Sequence, residues 1–181
     1  MIYVFLAEGF EECEALVTVD ILKRAGYDIK TVAVGEENTV VGAHGIPVVA
    51  DMNECEIDSS VMLSAVVLPG GMPGTLNLDK SETVHATLRR TAKHGGLVCA
   101  ICAAPSILGR AGYLEGKRAT CFPGFESELN GALFTDARVE VDGNIITSKA
   151  MGCASEFALA IIEKLSGRAE AEKVARSAYI V

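Results

Sequence analysis

One cysteine of the chain, Cys102, stands where a catalytic nucleophile could stand, directly after a predicted strand. Cys102 comes after an apolar run, Leu97–Ile101, that predicts a buried strand, and before a short helical pattern, Ala103–Ala111. A nucleophile elbow is such a strand-to-helix turn, and it needs small residues two positions to either side, which Ala100 and Ala104 supply. The N-terminus of the helix would favour a thiolate. The alternative is that Cys102 is a small buried core residue.

Two other segments could complete a site around this thiol. Pro69-Gly70-Gly71 follows a second short apolar run, and its glycine amides could approach a reacting atom as oxyanion donors, unless the loop is an ordinary turn. Met72 extends the loop and could line a pocket. The acidic string Glu11-Glu12-Cys13-Glu14 follows the first predicted strand.

The glutamates of the acidic string have two interpretations. At least two of the three are expected to stay solvated, since carboxylates in a first helical turn stabilise the helix dipole from the surface. One could instead point at the thiol, and its pKa would then be raised because two anions repel. In its protonated form that carboxyl could donate a hydrogen bond to a thiolate or shuttle a proton.

The remaining cysteines and the histidines do not complete a metal or triad motif. Cys99 and Cys102 have the spacing of a redox pair, but three residues of strand span about 10 Å, beyond the roughly 7 Å that a disulfide allows between Cα atoms. No second Cys-x-x-Cys stands in the chain, and no metal site is predicted. His44, His85 and His94 are each expected at the surface.

An alternation of strand and helix patterns positions these segments. It predicts a mainly parallel sheet that is covered on both faces, with right-handed connections and a site at the carboxyl ends of the strands. The predicted strands are Ile2–Ala7, Asp28–Val34, Ser64–Leu68 and Leu97–Ile101, with hairpins over Thr39–Asp51 and at Arg138–Val141 with Asn144–Thr147. The predicted helices are Glu11–Ala25, one from a capping box at Asp79 and Glu82 to about His94, Ala103–Ala111, Ala154–Leu165 and Arg168–Arg176.

Length and composition indicate a single domain over residues 1–181, with half of the residues apolar and 22% charged. Sixteen basic against 24 acidic side chains give a net charge of −8, which argues against nucleic-acid binding. No apolar run approaches the roughly 18 residues of a membrane span. Residues Met1–Ala7 lack the basic leader of a secretion signal. The protein is therefore expected in the reducing cytoplasm, with its six cysteines as free thiols.

The order and spacing of these motifs match a known family. Glu11–Glu14, Val66–Gly71 and Ala100–Pro105 follow one another, and Val141–Ser148 and Glu156–Ala160 fit as well. Together they resemble the ThiJ/PfpI superfamily and, within it, the branch of the parkinsonism-associated protein deglycase and its bacterial relatives. The resemblance runs over nearly the whole chain and implies a flavodoxin-like three-layer α/β sandwich and a homodimer.

The resemblance also implies a role for individual residues. Cys102 would be a low-pKa nucleophile on the elbow, and Glu14 a protonated carboxyl partner that is hydrogen-bonded to it. The backbone amides of Gly70, Gly71 and Ala103 would line the pocket.

Three features of the chain concern the surroundings of this expected site. Where some members of the family place a histidine near the reactive cysteine, this chain has Phe122. Cys153 ends the string Ala150-Met151-Gly152-Cys153, which stands where the family often has Gly-Pro-Gly-Thr, so a second thiol could lie near the first. Arg24 and His44 occupy positions that are commonly basic, and both are expected at the dimer interface close to Cys102.

The implied function is that of a cofactor-independent cysteine enzyme of stress protection. It would act on small reactive aldehydes such as methylglyoxal, or on early glycation adducts of proteins. The alternative is a non-enzymatic redox sensor or redox-regulated chaperone that uses oxidation of Cys102. A PfpI-type peptidase is disfavoured, because that branch places a histidine directly after the nucleophile, where this chain has Ala103.

Overall fold

The computed structural model describes residues 1–180, and Val181, the last residue of the predicted domain, lies outside the described residues. The strands are β1 (Ile2–Ala7), β2 (Ile29–Val34), β3 (Thr39–Val41), β4 (Pro47–Val49), β5 (Met52–Asn53), β6 (Ala65–Leu68), β7 (Leu97–Ile101), β8 (Arg118–Ala119), β9 (Leu133–Phe134), β10 (Val139–Asp142) and β11 (Ile145–Ser148). The α-helices are α1 (Glu12–Arg24), α2 (Gly74–Lys80), α3 (Glu82–Lys93), α4 (Pro105–Arg110), α5 (Ala154–Ser166) and α6 (Arg168–Ser177). Three short 3-10 helices cover Glu54–Glu56, Glu126–Glu128 and Met151–Cys153.

A seven-stranded sheet forms the middle layer, in the order β10-β11-β7-β6-β1-β2-β5. All of its pairings are parallel except the β10–β11 hairpin at one edge. The central strands β1, β6 and β7 are buried along their whole length, as expected for a parallel sheet that helices cover on both faces. The predicted α/β architecture is confirmed.

Two apolar cores lie on opposite faces of this sheet because successive side chains of a strand alternate between the faces. On one face, Val4 and Leu6 of β1 pack in the core that includes Leu22 of α1 and Phe157 of α5. On the other face, Tyr3 and Phe5 pack in the core that includes Val84 and Leu88 of α3 and Ile107 of α4. The result is the predicted three-layer sandwich.

The helix predicted from a capping box at Asp79 to about His94 is α3, and a separate helix, α2, precedes it. Ser81 separates them, and its hydroxyl oxygen accepts a hydrogen bond from the amide of Val84 at 3.1 Å. Asp79 instead lies in the last turn of α2, where its carboxylate contacts His85 and Arg110 at 3.2 and 2.9 Å. The capping box was wrong because Ser81 provides a cap two residues further along the chain. His85 is accordingly half-buried and not at the surface.

The helix after Cys102 begins later than predicted. It starts at Pro105, whose fixed φ and missing N–H suit the first position of a helix. Residues 102–104 therefore form the turn between β7 and α4. No helix within residues 1–180 has both the length and the apolar character needed to cross a membrane.

Candidate active site

Cys102 occupies a tight turn at the carboxyl end of β7. Its amide donates to the carbonyl of Ser148 at the end of the neighbouring β11 at 2.9 Å, and its carbonyl accepts from the amide of Phe122 at 2.8 Å. Its φ of +64° lies in the left-handed region that residues with a side chain rarely adopt. Such a conformation costs about 1–3 kcal/mol and persists only when the surroundings impose it. The turn has the backbone features of the predicted elbow.

The carboxyl group of Glu14 faces this cysteine across Gly70. Glu14 lies in the first turn of α1 and is 1% exposed, and its Oε2 accepts a hydrogen bond from the Gly70 amide at 2.8 Å. A methyl group added at Gly70 would lie 2.7 Å from Cβ of Cys102 and 2.8 Å from Oε2 of Glu14. Only a glycine lets the two side chains approach each other here.

Burial and proximity shift the pKa of both groups upward. Burial raises the pKa of Glu14 to about 7, against the opposing effects of the Cys102 thiol and of the amides of Gly70 and Met151. Burial and the charge of Glu14 raise the pKa of Cys102 to about 12, against the effect of the amides of Gly71 and Ala103. Because each anion disfavours the other, the pair holds at most one negative charge, which it gains around neutral pH, and it titrates as a unit.

A thiolate at neutral pH therefore requires the shared proton to be on Glu14. Oε1 of Glu14 is buried and has no hydrogen-bond partner of normal geometry among residues 1–180, which a protonated carboxyl tolerates better than a carboxylate. The sequence-based argument for a low thiol pKa invoked a helix N-terminus and local amides. α4 begins only at Pro105, so the amides of Gly71 and Ala103 favour the thiolate instead, and burial outweighs them and raises the pKa.

The other two glutamates of the acidic string have structural roles. Glu11 is the N-cap of α1, and its carboxylate accepts from the amide of Glu14 at 2.6 Å. Glu12 is 3% exposed, so the expectation that at least two of the three stay solvated was wrong. Its two oxygens accept from the amide of His44 at 2.8 Å and bond to Nδ1 of His44 at 2.7 Å. Any side chain at Gly42 would collide with the carboxyl group of Glu12.

The hydrogen bonds between Glu12 and His44, which we call the anchor, also bear on the metal prediction. Donor atoms of Glu11, Glu12 and His44 lie within 4.8 Å of one another, which is close enough to share an ion. The oxygens of Glu12 already accept hydrogen bonds from the hairpin between β3 and β4, so the geometry fits an anchor for that hairpin. The prediction of no metal site stays a prediction.

Three predicted site residues remain. Cys153 is a buried free thiol at the end of its 3-10 helix, directly before α5, and its proximity to Cys102 stays a prediction. Arg24 pairs with Asp20 at the far end of α1, whose 13 residues span about 20 Å. His44 lies at the other end of that helix, so one chain does not bring Arg24 and His44 together. Their place at a dimer interface stays a prediction.

The anchor predicts a titration of its own. The hydrogen bond with Glu12 raises the pKa of His44. Burial alone would raise the pKa of Glu12, but its hydrogen bonds to His44 outweigh burial and lower that pKa. Since the folded pKa of His44 is raised, its contribution to stability is present below about pH 6.5 and is lost as pH rises through the folded value. In NMR titrations we expect the midpoint of His44 to fall in Glu12→Gln and to stay unchanged in the exposed control Glu37→Gln. An unchanged midpoint in Glu12→Gln would contradict the anchor.

The close approach at Gly70 gives a second prediction. The alanine methyl of Gly70→Ala overlaps Cys102 and Glu14 and lies 3.0 Å from the carbonyl oxygen of Ile101, so we expect a loss of about 1–3 kcal/mol of stability in urea unfolding. Alkylation of Cys102 should also change its pH profile. Gly152→Ala is the matched control, because a methyl group there meets no atom within 4 Å. Equal effects of the two substitutions would refute the close approach.

Comparison with known proteins gives consistent matches. A model described as the DJ-1/PfpI family matches residues 1–164. Protein DJ-1 homolog B of Arabidopsis thaliana is 38% identical over 171 residues, which are 93% of this chain and only 39% of that protein's length. A glutathione-independent glyoxalase of Caenorhabditis elegans is 33% identical over 162 residues, 88% of this chain and 85% of that protein. The crystal structure of a cysteine-to-alanine mutant of a DJ-1 superfamily protein from Salmonella typhimurium has a TM-score of 0.93 and 39% identity, and the match covers 98% of this chain and 97% of that one.

Proposed function

The chain belongs to the DJ-1/PfpI family, and from this we propose that it is a cofactor-independent cysteine enzyme that acts on reactive carbonyls or early glycation adducts of proteins. The observation that carries the proposal is that the half-buried Cys102 thiol faces the buried Glu14 carboxyl, and that the pKa of Glu14 is raised to about 7. A group that titrates there can both give and take a proton at neutral pH. The similarity to a glutathione-independent glyoxalase supports this choice of substrate class.

The first step would use both members of the pair. With the proton on Glu14, the thiolate sulfur of Cys102 attacks the aldehyde carbon of methylglyoxal, and the electron pair of the C=O bond moves to oxygen. That oxygen takes the proton from Glu14, which gives a hemithioacetal and leaves a carboxylate. The amides of Gly71 and Ala103, which favour negative charge on the thiol, lie where they can also stabilise charge on the reacting atoms.

The remaining steps return the pair to its starting state. The Glu14 carboxylate removes the proton from the former aldehyde carbon and delivers it to the adjacent carbon, while the hydroxyl proton of the hemithioacetal passes to the ketone oxygen. The ketone is thereby reduced to an alcohol, and the aldehyde carbon becomes a thioester. Water cleaves the thioester, lactate leaves, and the thiol is restored. The overall reaction adds one water to methylglyoxal, with no external oxidant or reductant.

The redox alternative uses the same thiol. Cys102 is partly accessible, and oxygens added to its sulfur would lie beside the amides of Gly71 and Ala103. A sensor or redox-regulated chaperone would be oxidised once per signal and would not turn over an aldehyde. Turnover is therefore the property that separates the two functions.

A direct assay tests the proposal. The protein is mixed with methylglyoxal, formation of lactate is followed by proton NMR, and the mass of trapped protein is mapped by peptide digestion. The proposal expects many equivalents of lactate per chain and a transient adduct on Cys102. Modification of Cys102 without lactate would favour the redox alternative, and lactate without involvement of Cys102 would exclude the thiol mechanism.

We also propose a cytoplasmic homodimer. The chemistry needs a reduced Cys102, which a reducing compartment maintains. Apolar side chains that a partner could cover are exposed on the hairpin between β3 and β4, at Ile46 and Val49, and on α1, at Leu16. The same hairpin carries His44, so a partner on this face would lie close to the anchor formed with Glu12.

A further inference from the structure

Three large apolar side chains are exposed beside the thiol–carboxyl pair. Met72 is 47% exposed, Phe122 is 43% exposed and Met151 is 51% exposed. They stand in three different loops, which follow β6, β8 and β11. We refer to these three residues as the apolar rim.

Each residue of the rim is tied to the reacting pair through the backbone. Met72 directly follows Gly71, whose amide acts on the Cys102 thiol. The amide of Phe122 donates to the carbonyl of Cys102 at 2.8 Å. The amide of Met151 acts on the carboxyl of Glu14 and lowers its pKa. The backbone of all three residues is therefore fixed next to the place where an aldehyde would bind.

The groups next to the pair are acidic. Two cations lie near the rim, since Arg138 donates to the carbonyl of Gly152, next to Met151, and Lys149 follows β11. Both are held in ion pairs, with Glu156 and with Asp136. The pair gains one negative charge around pH 7, and half-buried Glu11 acts on Glu14 as a further negative charge. His44, the positive group of the neighbouring hairpin, is bound to Glu12. A carboxylate on the substrate would be repelled here, whereas an uncharged apolar group would gain contact with the rim.

We propose that, given the aldehyde chemistry proposed above, the apolar rim makes this site select uncharged α-oxoaldehydes with a bulky apolar substituent. Phenylglyoxal represents this class, glyoxal lacks the substituent, and glyoxylate carries a carboxylate in its place. An aromatic substituent can stack on Phe122 and contact the sulfur atoms of Met72 and Met151. Met151 becomes a specificity-determining residue on this account.

Turnover of these three aldehydes tests the rim. We expect kcat/KM for phenylglyoxal to exceed that for glyoxal by about tenfold or more, and glyoxylate to be the poorest substrate. Phe122→Ala and Met151→Ala should each reduce the phenylglyoxal-to-glyoxal ratio several-fold. Met62→Ala is the matched control, because Met62 is 58% exposed but precedes β6, at the amino ends of the strands and opposite the site. A ratio that stays the same in both rim variants overturns the proposal.

A second measurement separates failure of the rim from failure of the enzyme hypothesis. Alkylation of Cys102 by N-phenylmaleimide and by N-methylmaleimide compares an apolar aromatic reagent with a small one and needs no turnover. If no aldehyde is turned over but the rim variants lower the phenyl-to-methyl ratio, the rim binds apolar groups and the proposed enzyme function is wrong. If aldehydes are turned over and both ratios are unchanged in the variants, the rim proposal is wrong and the enzyme function stands.

Discussion

Replacing Cys102 by serine is expected to lower the turnover of methylglyoxal by about 10³-fold or more, because a serine hydroxyl is far less nucleophilic than a thiolate. The pair would also lose its shared proton, since the hydroxyl does not ionise in this range. Lactate formation by the purified variant, at substrate concentrations above and below KM, is the measurement.

Cys13→Ser is the control for this substitution. Cys13 is exposed in the same first turn of α1 as Glu14, and nothing in the structure gives it a role in the pair. Its turnover should remain within about twofold of the unaltered protein, in line with most surface substitutions. Activity that persists in Cys102→Ser, or is lost equally in Cys13→Ser, would remove the basis for a mechanism at position 102.

The second large effect is expected for Glu14→Gln. The glutamine amide can still donate a hydrogen bond to the thiolate, but it cannot carry a proton between carbons, so kcat/KM should fall by about 10²–10⁴-fold. Alkylation of Cys102 should change by much less, and the inflection near pH 7 that follows from the raised pKa of Glu14 should disappear. Turnover and alkylation are both followed from pH 5 to 9.

Glu11→Gln is the matched comparison for that experiment. Its amide oxygen can still accept from the Glu14 amide as the N-cap of α1, and Glu11 has no contact with the thiol in the proposed chemistry. We expect turnover within about threefold of the unaltered protein. If Glu14→Gln lowers alkylation as much as turnover, Glu14 only activates the thiol and is not the proton shuttle.

Local patterns were sufficient to predict most of the fold. β1 and β7 are continuous apolar runs because they are buried on both faces, and α1 shows a helical apolar stripe that ends before Gly26. The start of α3 was predicted two residues early because Asp79 and Ser81 are both good capping residues, and only the structure shows which of them is used. α2 was missed because its first residues continue a glycine- and proline-rich loop.

The candidate site was predictable where it depends on strand ends, and not where it depends on distant packing. Cys102 and Gly70 follow predicted strands, and Glu14 lies in the first turn of a predicted helix. Their approach at the carboxyl ends of the strands therefore follows from the topology. The burial of Glu12 depends on a hairpin about thirty residues away that closes over it, at His44. The Met151 amide acts on Glu14 from the segment after β11, and no local signal in the sequence marks the register in which β11 pairs with β7.

The left-handed backbone of Cys102 has a consequence for anyone who would engineer the chain. At a φ of +64° a glycine relieves strain and an asparagine tolerates it, so a sequence optimised for thermal stability alone would discard the cysteine. Stability and reactivity thus make opposite demands at one position, and the chain keeps the residue that costs folding free energy. Consensus or computational redesign should hold position 102 fixed and take its gains from the exposed faces of α3 and α6.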